Sequence, residues 1–100
     1  MTQHQPWLPL REQLVQQNTE HYVIFTPAGQ VVDKAGDFNS SAEKCETAYS
    51  IVQQCGALLK PQEKLKKVTM CFDDAMYVAT VTLINSKPFG VVVKRPPQAL

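Results

Sequence analysis

The chain has 100 residues, of which 44% are hydrophobic and 19% are charged, and its formal net charge is +1. This length fits one domain, and the composition is that of a globular protein rather than a disordered one. A net charge this small gives no long-range field that would attract nucleic acid or an acidic membrane. No apolar run approaches the roughly 18 residues that a membrane-spanning helix needs, and the first residues resemble neither a secretory signal nor an N-myristoylation site.

Residues 1–20 form an N-terminal segment that contains two prolines and then becomes polar and glutamine-rich. Leu10 and Leu14 recur at helical spacing, which predicts a short amphipathic helix between about residues 10 and 17. Trp7 lies between the two prolines. An aromatic side chain here either packs against the fold or anchors a partner, and the sequence leaves both interpretations open.

A β-hairpin is predicted next. Residues 21–26 are mostly apolar and either β-branched or aromatic, which favours a strand. The Pro-Ala-Gly-Gln sequence at 27–30 is typical of a turn, and residues 30–35 form the returning strand. Gly36-Asp37 ends the hairpin.

Residues 39–58 carry the strongest helix pattern in the chain. Ser40-Ser41-Ala42-Glu43 is typical of a capping box. In this motif a serine oxygen accepts a hydrogen bond from a backbone amide near the helix start, and the Glu43 side chain reaches back toward the start of the helix. Gly56 and Pro61 indicate the end of the helix. An apolar stripe at i, i+3, i+4, i+7 spacing is formed by Ala42, Cys45, Ala48, Tyr49, Val52, Cys55 and Leu59.

Three further strands are predicted at 66–72, 76–84 and 89–95, separated by turns at Asp73-Asp74 and at 85–88. Two adjacent prolines then end the regular structure, because proline cannot donate to a strand ladder. The first and third of these strands alternate between apolar and other residues, whereas the middle one is nearly all apolar or β-branched.

The predicted organisation is an N-terminal segment at 1–20, one domain at 21–95 and a C-terminal tail at 96–100. The fold class is α/β of the α+β kind, a five-stranded antiparallel sheet in (α)ββαβββ order with one main helix and no C-terminal helix. The strands at 21–26 and 76–84 are apolar on both faces, which favours central positions in a sheet covered on both sides. The main helix can cover one face of this sheet, and the short N-terminal helix can cover only part of the other. An uncovered apolar face or an open sheet edge usually marks a partner site.

The sequence contains no recognisable catalytic, metal or cofactor motif. Its glycines are isolated, so there is neither a P-loop nor a dinucleotide fingerprint. Cys45, Cys55 and Cys71 are odd in number and not closely spaced, which favours reduced thiols that pack as small apolar side chains. A thiol enzyme that uses Cys45 or Cys71 is an open alternative, although His4 and His21 are the only histidines that could activate it. We expect no catalytic residue, no metal and no cofactor.

Two charged features fit a structural interpretation better than a chemical one. Asp73-Asp74 suits a strand turn better than a catalytic carboxylate pair. The basic clusters are interpreted as solvated surface, with contact to phosphate or to a charged partner as the alternative. They consist of Lys60, Lys64, Lys66 and Lys67 around Glu63, and of Lys94-Arg95. No aromatic residues alternate with these charges as single-stranded nucleic acid would require, so no nucleic-acid partner is expected.

Three stretches of this chain resemble the roadblock family, which is related to the longin domains. Tyr22-Val23-Ile24, Val31-Val32 and Gly36-Asp37-Phe38 resemble the family's first hairpin and the step into its helix. The helix that ends at Cys55-Gly56 resembles the single central helix. Phe72, Val78–Thr82 and Val91-Val92-Val93-Lys94-Arg95 resemble the closing strands. Together they cover most of the domain, and the small roadblock subunits of the Ragulator (late endosomal and lysosomal adaptor) complex are the most similar members.

The resemblance implies a non-catalytic scaffold subunit. Such subunits form a heterodimer with another roadblock protein and join a pentameric scaffold. A lipidated partner holds that scaffold on the cytoplasmic face of the lysosome or late endosome, so the subunit meets the membrane only indirectly. The scaffold binds Rag-type GTPases and takes part in amino-acid signalling to the TORC1 kinase.

By the same resemblance, the partner interface combines the main helix with an edge strand. The predicted interface residues are Cys45, Tyr49, Val52, Gln53, Val68, Thr69, Met70 and Cys71, with Tyr49, Gln53, Thr69 and Cys71 at the dimer seam. Two other functions stay open. One is a roadblock subunit of a dynein-type or small-GTPase-regulating complex, and the other is a small ligand-sensing module in which sheet and helix enclose a pocket.

Overall fold

The structure, a computed structural model, describes residues 7–57, 65–71 and 75–96. These residues form an α+β fold with a five-stranded antiparallel sheet and two α-helices. The elements in chain order are α1 (Leu8–Gln16), β1 (His21–Phe25), β2 (Val31–Ala35), a 3₁₀ turn (Gly36–Phe38), α2 (Ala42–Ala57), β3 (Leu65–Cys71), β4 (Met76–Ile84) and β5 (Lys87–Arg95). Several sequence predictions lie outside the described residues. They are those for His4, Leu59, Lys60, Pro61, Glu63, Lys64, Phe72, Asp73-Asp74 and the tail beyond Pro96.

The strands are ordered β2-β1-β5-β4-β3, so the last strand in the sequence is the middle strand of the sheet. β1 and β4 each lie second from an edge and are paired on both sides, as expected from their apolar composition. The central strand itself was predicted only as an alternating strand. It is buried on both faces because residues 89–93 contact one helix layer on each side of the sheet.

The larger core lies between the sheet and α2. Ser41, the residue before the helix, caps it, because its Oγ accepts a hydrogen bond from the Lys44 backbone N–H at 3.2 Å. The predicted capping box is therefore shifted by one residue: the cap is Ser41, so Lys44 rather than Glu43 occupies the third helical position. The buried residues of this core are Val23, Phe25, Phe38, Cys45, Ala48, Val52, Cys55, Ala79, Val81 and Val92.

A smaller core lies on the opposite face of the sheet, under α1. Leu14 is the buried residue of this helix, and Trp7 and Leu10 pack beside it. The side chains below it on the sheet are Tyr22, Ile24, Val91 and Val93. Trp7 thus packs against the fold, which favours the first of its two interpretations.

Polar contacts tie α1 to the hairpin. Arg11 Nε lies 2.9 Å from the Asp33 carboxylate, and the Tyr22 hydroxyl donates to the same carboxylate at 3.0 Å. Burial is the main cause that raises the pKa of the Tyr22 hydroxyl above 10.0. The helix is short, so these contacts and the burial of Leu14 hold it in place rather than helix propensity alone.

A second polar cluster joins four elements at one end of the sheet. Asp37 forms ion pairs with Lys94 of β5 and, at 3.5 Å, with Lys44 of α2, while its backbone N–H donates to His21 Nδ1 at 2.9 Å. A hydrogen bond from Lys94 is the main cause that lowers the pKa of the Asp37 carboxyl. Gly36, with φ of +65°, allows this approach, because a Cβ at this position would lie 2.1 Å from His21 Nδ1.

Candidate partner interface

β3 forms one edge of the sheet and pairs with β4 alone among the described strands. Val68 pairs with Ala79, which belongs to the core under α2, so alternate residues of β3 lie on that side. Lys66, Val68 and Met70 therefore face the α2 side of the sheet and are half-buried. Lys67, Thr69 and Cys71 face the α1 side and are exposed. The outer amide and carbonyl groups of such an edge are available to another strand.

The flank of α2 that lies beside β4 carries apolar side chains that are only partly buried. Ile51 of the helix and Tyr77 of β4 pack against the core while keeping part of their surface exposed. An open cleft of about 470 Å³ runs along this flank, with Ile51, Tyr77, Lys44 and Thr47 among its lining. We define the β3–α2 patch as Ile51, Val68, Met70 and Tyr77, which lie on one face of the sheet next to its open edge.

Two predicted interface residues belong to the core instead. Cys45 and Val52 are buried under α2, where the Cys45 thiol donates to the Phe38 carbonyl oxygen at 3.2 Å. Val52 contacts the central strand so closely that a Cβ added at Gly90 would lie 2.4 Å from its Cγ1. This part of the stripe therefore faces the sheet, and both side chains are buried within the chain, while their contact with a partner stays a prediction.

Two other predicted residues lie on the hairpin side of α2. The Tyr49 ring packs against Phe25, with ring centroids 5.3 Å apart, and also covers the turn at Gly29. Gln53 lies one turn further along the same side of the helix and is exposed. Because the hairpin occupies the opposite end of the strand order from β3, this side of the helix is directed away from the open edge.

The predicted interface residues outside the core are thus divided over three surfaces. Val68 and Met70 lie on the β3–α2 patch, Thr69 and Cys71 lie on the α1 side of the same strand, and Tyr49 lies over the hairpin. The strand that was predicted to carry part of the interface lies at an edge of the sheet formed by the described strands. Tyr49 and Gln53, which were predicted together with this strand, lie on the flank of α2 that is directed away from that edge.

Ile51 and Tyr77 are the patch residues that the sequence analysis missed. Ile51 is three residues after Ala48 and one before Val52, which places it at the border of the apolar stripe. This border position was the feature of the sequence that indicated a half-buried side chain at Ile51. A helical pattern shows that such a residue is half-buried, but the strand order decides which neighbour it meets.

A second cleft, of about 510 Å³, lies beside α1 on the other face of the sheet. Leu10, Leu14, Val78 and Val93 form apolar parts of its wall. Lys67, Arg95 and the hydroxyls of Thr80 and Thr82 also line it. The sheet surface over β4 is therefore less covered than the surface over β1 and β5, as expected from the short predicted helix.

Two of the three thiols, those of Cys45 and Cys55, are buried, and the thiol of Cys71 is exposed. Burial is the main cause that raises the pKa of the Cys55 thiol, whose Sγ lies 3.5 Å from the Lys66 carbonyl oxygen. Over 7–57, 65–71 and 75–96, no three His, Cys, Asp or Glu side chains cluster in a way that could hold a metal ion. Neither of the two described α-helices is long and apolar enough to cross a membrane.

Comparison of this chain with protein-family models, with curated proteins and with solved structures finds no significant match.

Proposed function

We propose that this protein is a non-catalytic scaffold subunit that pairs with another roadblock-type protein along β3 and the adjoining flank of α2. The observation that carries the proposal is the β3–α2 patch, in which half-exposed apolar side chains adjoin an open strand edge. An added strand can form main-chain hydrogen bonds with such an edge, while the apolar side chains next to it provide the buried centre of an interface.

The shape of the patch supports pairing with a similar element rather than with a small molecule. Val68 and Met70 lie on the strand itself, and Ile51 and Tyr77 continue the apolar surface inward beside α2. A partner that contributes both a strand and a helix flank would cover both parts at once. A peptide strand alone would leave the Ile51 side of the cleft in water.

The wider role is proposed from the family resemblance. The element order and the single main helix support a small roadblock subunit, and the Val-Lys-Arg sequence at 93–95 closes β5 as in the Ragulator subunits. The proposed complex is Ragulator-like. It is held at the lysosomal or late endosomal surface by a lipidated partner, binds Rag-type GTPases, and supports amino-acid signalling to TORC1.

A ligand-sensing module is the second candidate, and the cleft beside α1 is the observation that favours it. The cleft is open and combines a valine floor with two threonine hydroxyls and two basic side chains. Native mass spectrometry of the purified chain would test this candidate. A bound small molecule that is lost when Thr80 is replaced by Val would support it.

The proposed pairing is tested by affinity purification of the tagged chain from its own cells, with mass spectrometry of the bound proteins. We expect a second small roadblock-type protein together with Rag-type GTPases. Ile51→Lys places a charge in the patch and should lose the partner, whereas Val15→Lys, at an exposed position of α1, should retain it.

The thermal unfolding midpoint of both variants separates loss of pairing from loss of folding. Ile51→Lys should keep a cooperative transition, because its side chain is only half-buried and a lysine can extend to water. Recovery of the chain alone, or equal recovery of the partner by both variants, would contradict the proposed function.

A further inference from the structure

His21, the first residue of β1, is held by a hydrogen bond that only one form of its ring can make. Its Nδ1 accepts from the Asp37 backbone N–H at 2.9 Å, and the side chain is partly buried. A ring nitrogen that accepts a hydrogen bond carries no proton, so the neutral ring carries its proton on Nε2. The turn at Gly36–Phe38 is therefore joined to β1 through an unprotonated Nδ1.

The His21 ring and the backbone of this turn are in direct contact. Gly36 has φ of +65°, and a Cβ at this position would lie 2.1 Å from His21 Nδ1 and 2.5 Å from the Glu20 carbonyl oxygen. Glycine thus satisfies both the backbone conformation and the close approach. The ring consequently cannot shift toward the turn unless the turn backbone moves as well.

Two carboxylates lie beside the ring, one near each nitrogen. Asp37 Oδ1 is 3.8 Å from Nδ1, and Glu20 Oε2 is 3.8 Å from Nε2. Both carboxylates would attract a positively charged ring. Only the neutral ring, however, can accept a hydrogen bond from the Asp37 N–H. The hydrogen bond and the two ion pairs therefore require different protonation states of His21.

Cationic side chains hold the Asp37 carboxylate beside the ring. Lys94 of β5 and Lys44 of α2 both pair with its Oδ2, and its Oδ1 is the oxygen near His21. The hydrogen bond from Lys94 lowers the pKa of the Asp37 carboxyl below 3.8, so this group stays ionised above about pH 5. Arg95 of β5 lines a cavity of about 340 Å³ that His21 also borders. Asp37 is therefore a charged acceptor that these lysines fix close to Nδ1.

We infer that protonation of His21 switches the Gly36–Phe38 turn between two arrangements. In the neutral arrangement, Nδ1 accepts from the Asp37 N–H. In the acidic arrangement, Nδ1 takes up a proton from solvent and donates to the Asp37 carboxylate, while the Asp37 N–H bonds to water. Two donors cannot stay 2.9 Å apart, so the turn must move away from the ring. Histidine ordinarily changes its charge between about pH 5 and 8, so mild acid is sufficient to operate the switch.

The turn connects this switch to the larger core and to the start of α2. Phe38 is buried in that core, and its carbonyl oxygen accepts from the Cys45 thiol at 3.2 Å. Phe38, Ser41 and Lys44 also line the open cleft beside the β3–α2 patch. Movement of the turn would therefore change one end of that cleft. Because the switch lies within a single chain, it does not depend on the proposed pairing.

Hydrogen exchange of the Asp37 amide, followed by NMR on the purified full chain, tests this inference. Exchange is measured from about pH 7.5 to about pH 5 and expressed as a protection factor, which removes the intrinsic effect of pH on exchange. We expect the protection to fall about tenfold on acidification, the factor that corresponds to the loss of one ordinary hydrogen bond. The His21 Nδ1 signal should change from unprotonated to protonated over the same range.

Two variants separate His21 from the rest of the chain. His21→Asn places an amide oxygen near the Asp37 N–H, and this oxygen accepts a hydrogen bond but does not titrate. Protection of the Asp37 amide should then stay constant through the range. His4→Asn removes the other histidine of the chain and should leave the fall in protection unchanged.

Constant protection of the Asp37 amide in the unmodified chain would overturn the inference. An equal fall in His21→Asn would also overturn it, because another group would then be responsible. If His21→Asn does not fold, the nitrogen signals of His21 in the unmodified chain decide. A proton on Nδ1 at neutral pH, or a change of Nδ1 without a fall in protection, would overturn the inference, and a joint change would support it. Each of these outcomes leaves the proposed pairing along β3 intact.

Discussion

Gly90 shows how closely α2 approaches the central strand. A Cβ at this position would lie 2.4 Å from Cγ1 and 3.0 Å from Cγ2 of Val52, so helix and strand could not both keep their positions. The glycine is needed here for space and not for backbone conformation, because its φ is not positive. The close contact between α2 and the central strand therefore requires a residue without a side chain at position 90.

We expect Gly90→Ala to lower the free energy of unfolding by about 1–3 kcal/mol, because it overpacks the core between Gly90 and Val52. Thermal denaturation should show a fall of about 4–8 °C in the midpoint for each kcal/mol lost. Gly56→Ala is the matched control. The nearest atom to its Cβ lies 3.9 Å away, so this helical position should be unchanged or up to about 1 kcal/mol more stable.

Val52→Ala removes the two Cγ atoms that the methyl group introduced by Gly90→Ala would contact. The double variant should therefore lose less stability than the sum of the two single variants. Simple additivity would contradict the packing assigned to this pair of residues.

Asp37 makes the stability of the fold dependent on pH in the acidic range. Its carboxyl has a folded pKa below the ordinary value of 3.8, chiefly because Lys94 donates a hydrogen bond to it. A carboxyl whose pKa is lowered by folding stabilises the protein above its unfolded pKa, and that contribution is lost as the pH falls through the folded pKa. Asp37→Asn should therefore be less stable than the unmodified chain at neutral pH.

The difference in stability should shrink as the pH falls below 3.8, and urea denaturation at a series of pH values would measure it. Glu46→Gln, an exposed change in α2, is the control and should show no such trend. A constant difference between Asp37→Asn and the unmodified chain at every pH would contradict the ion-pair role.

At the scale of elements, α1 buries one of its side chains in the smaller core. Leu14 is 8% exposed and contacts the sheet, while the next residue, Val15, is 58% exposed. We expect Leu14→Ala to cost about 2–3 kcal/mol of unfolding free energy, at the low end for a buried leucine because this core is small. Val15→Ala should change stability by less than about 0.5 kcal/mol. Chemical denaturation of both variants checks this, and equal effects would show that α1 does not pack as described.

The local pattern of the sequence was sufficient to predict the elements but not their assembly. The hairpin, α2 and the last two strands were predicted within a few residues, because β-branched runs, a serine cap and isolated glycines act over short distances. The order of the strands depends on the pairing of β1 with β5, for which no local pattern exists. Residues 89–93 were therefore given alternating burial although the position of β5 buries them all.

The candidate interface shows the same limit. Val68 and Met70 could be assigned to an edge strand from their alternation, and the structure places that strand at an edge. Tyr49 could not be separated from Ile51 by helical spacing, because both border the apolar stripe on opposite flanks. The aromatic contact with Phe25 and the strand order together decide which of them is near β3.

At the scale of the whole molecule, the three thiols report on both packing and pairing. Cys45 and Cys55 are buried and Cys71 is exposed on the α1 side of β3. We expect a thiol reagent to modify Cys71 first in the native protein, with the other two following only on unfolding. In the purified complex, modification of Cys71 should slow if the partner strand lies along β3 as we propose.

Cys71→Ser is the control for this assignment and should abolish the first phase of modification. Rapid reaction of the Cys45 thiol with the reagent in the native chain would contradict its burial and would favour the thiol-enzyme alternative. An unchanged rate for Cys71 in the complex would place the partner elsewhere on the molecule.

The pairing of β1 with β5 also has a consequence for how the chain folds. The other three strand pairs join neighbours in sequence, whereas this one brings residues 21–25 beside 90–94. Closing so long a loop is entropically costly and must precede the gain from both cores, because each core contains residues of both strands. We therefore expect the rate-limiting barrier to lie at this contact: changes at Ile24 or Val92 slow folding, while changes on β3 act mainly on the rate of unfolding.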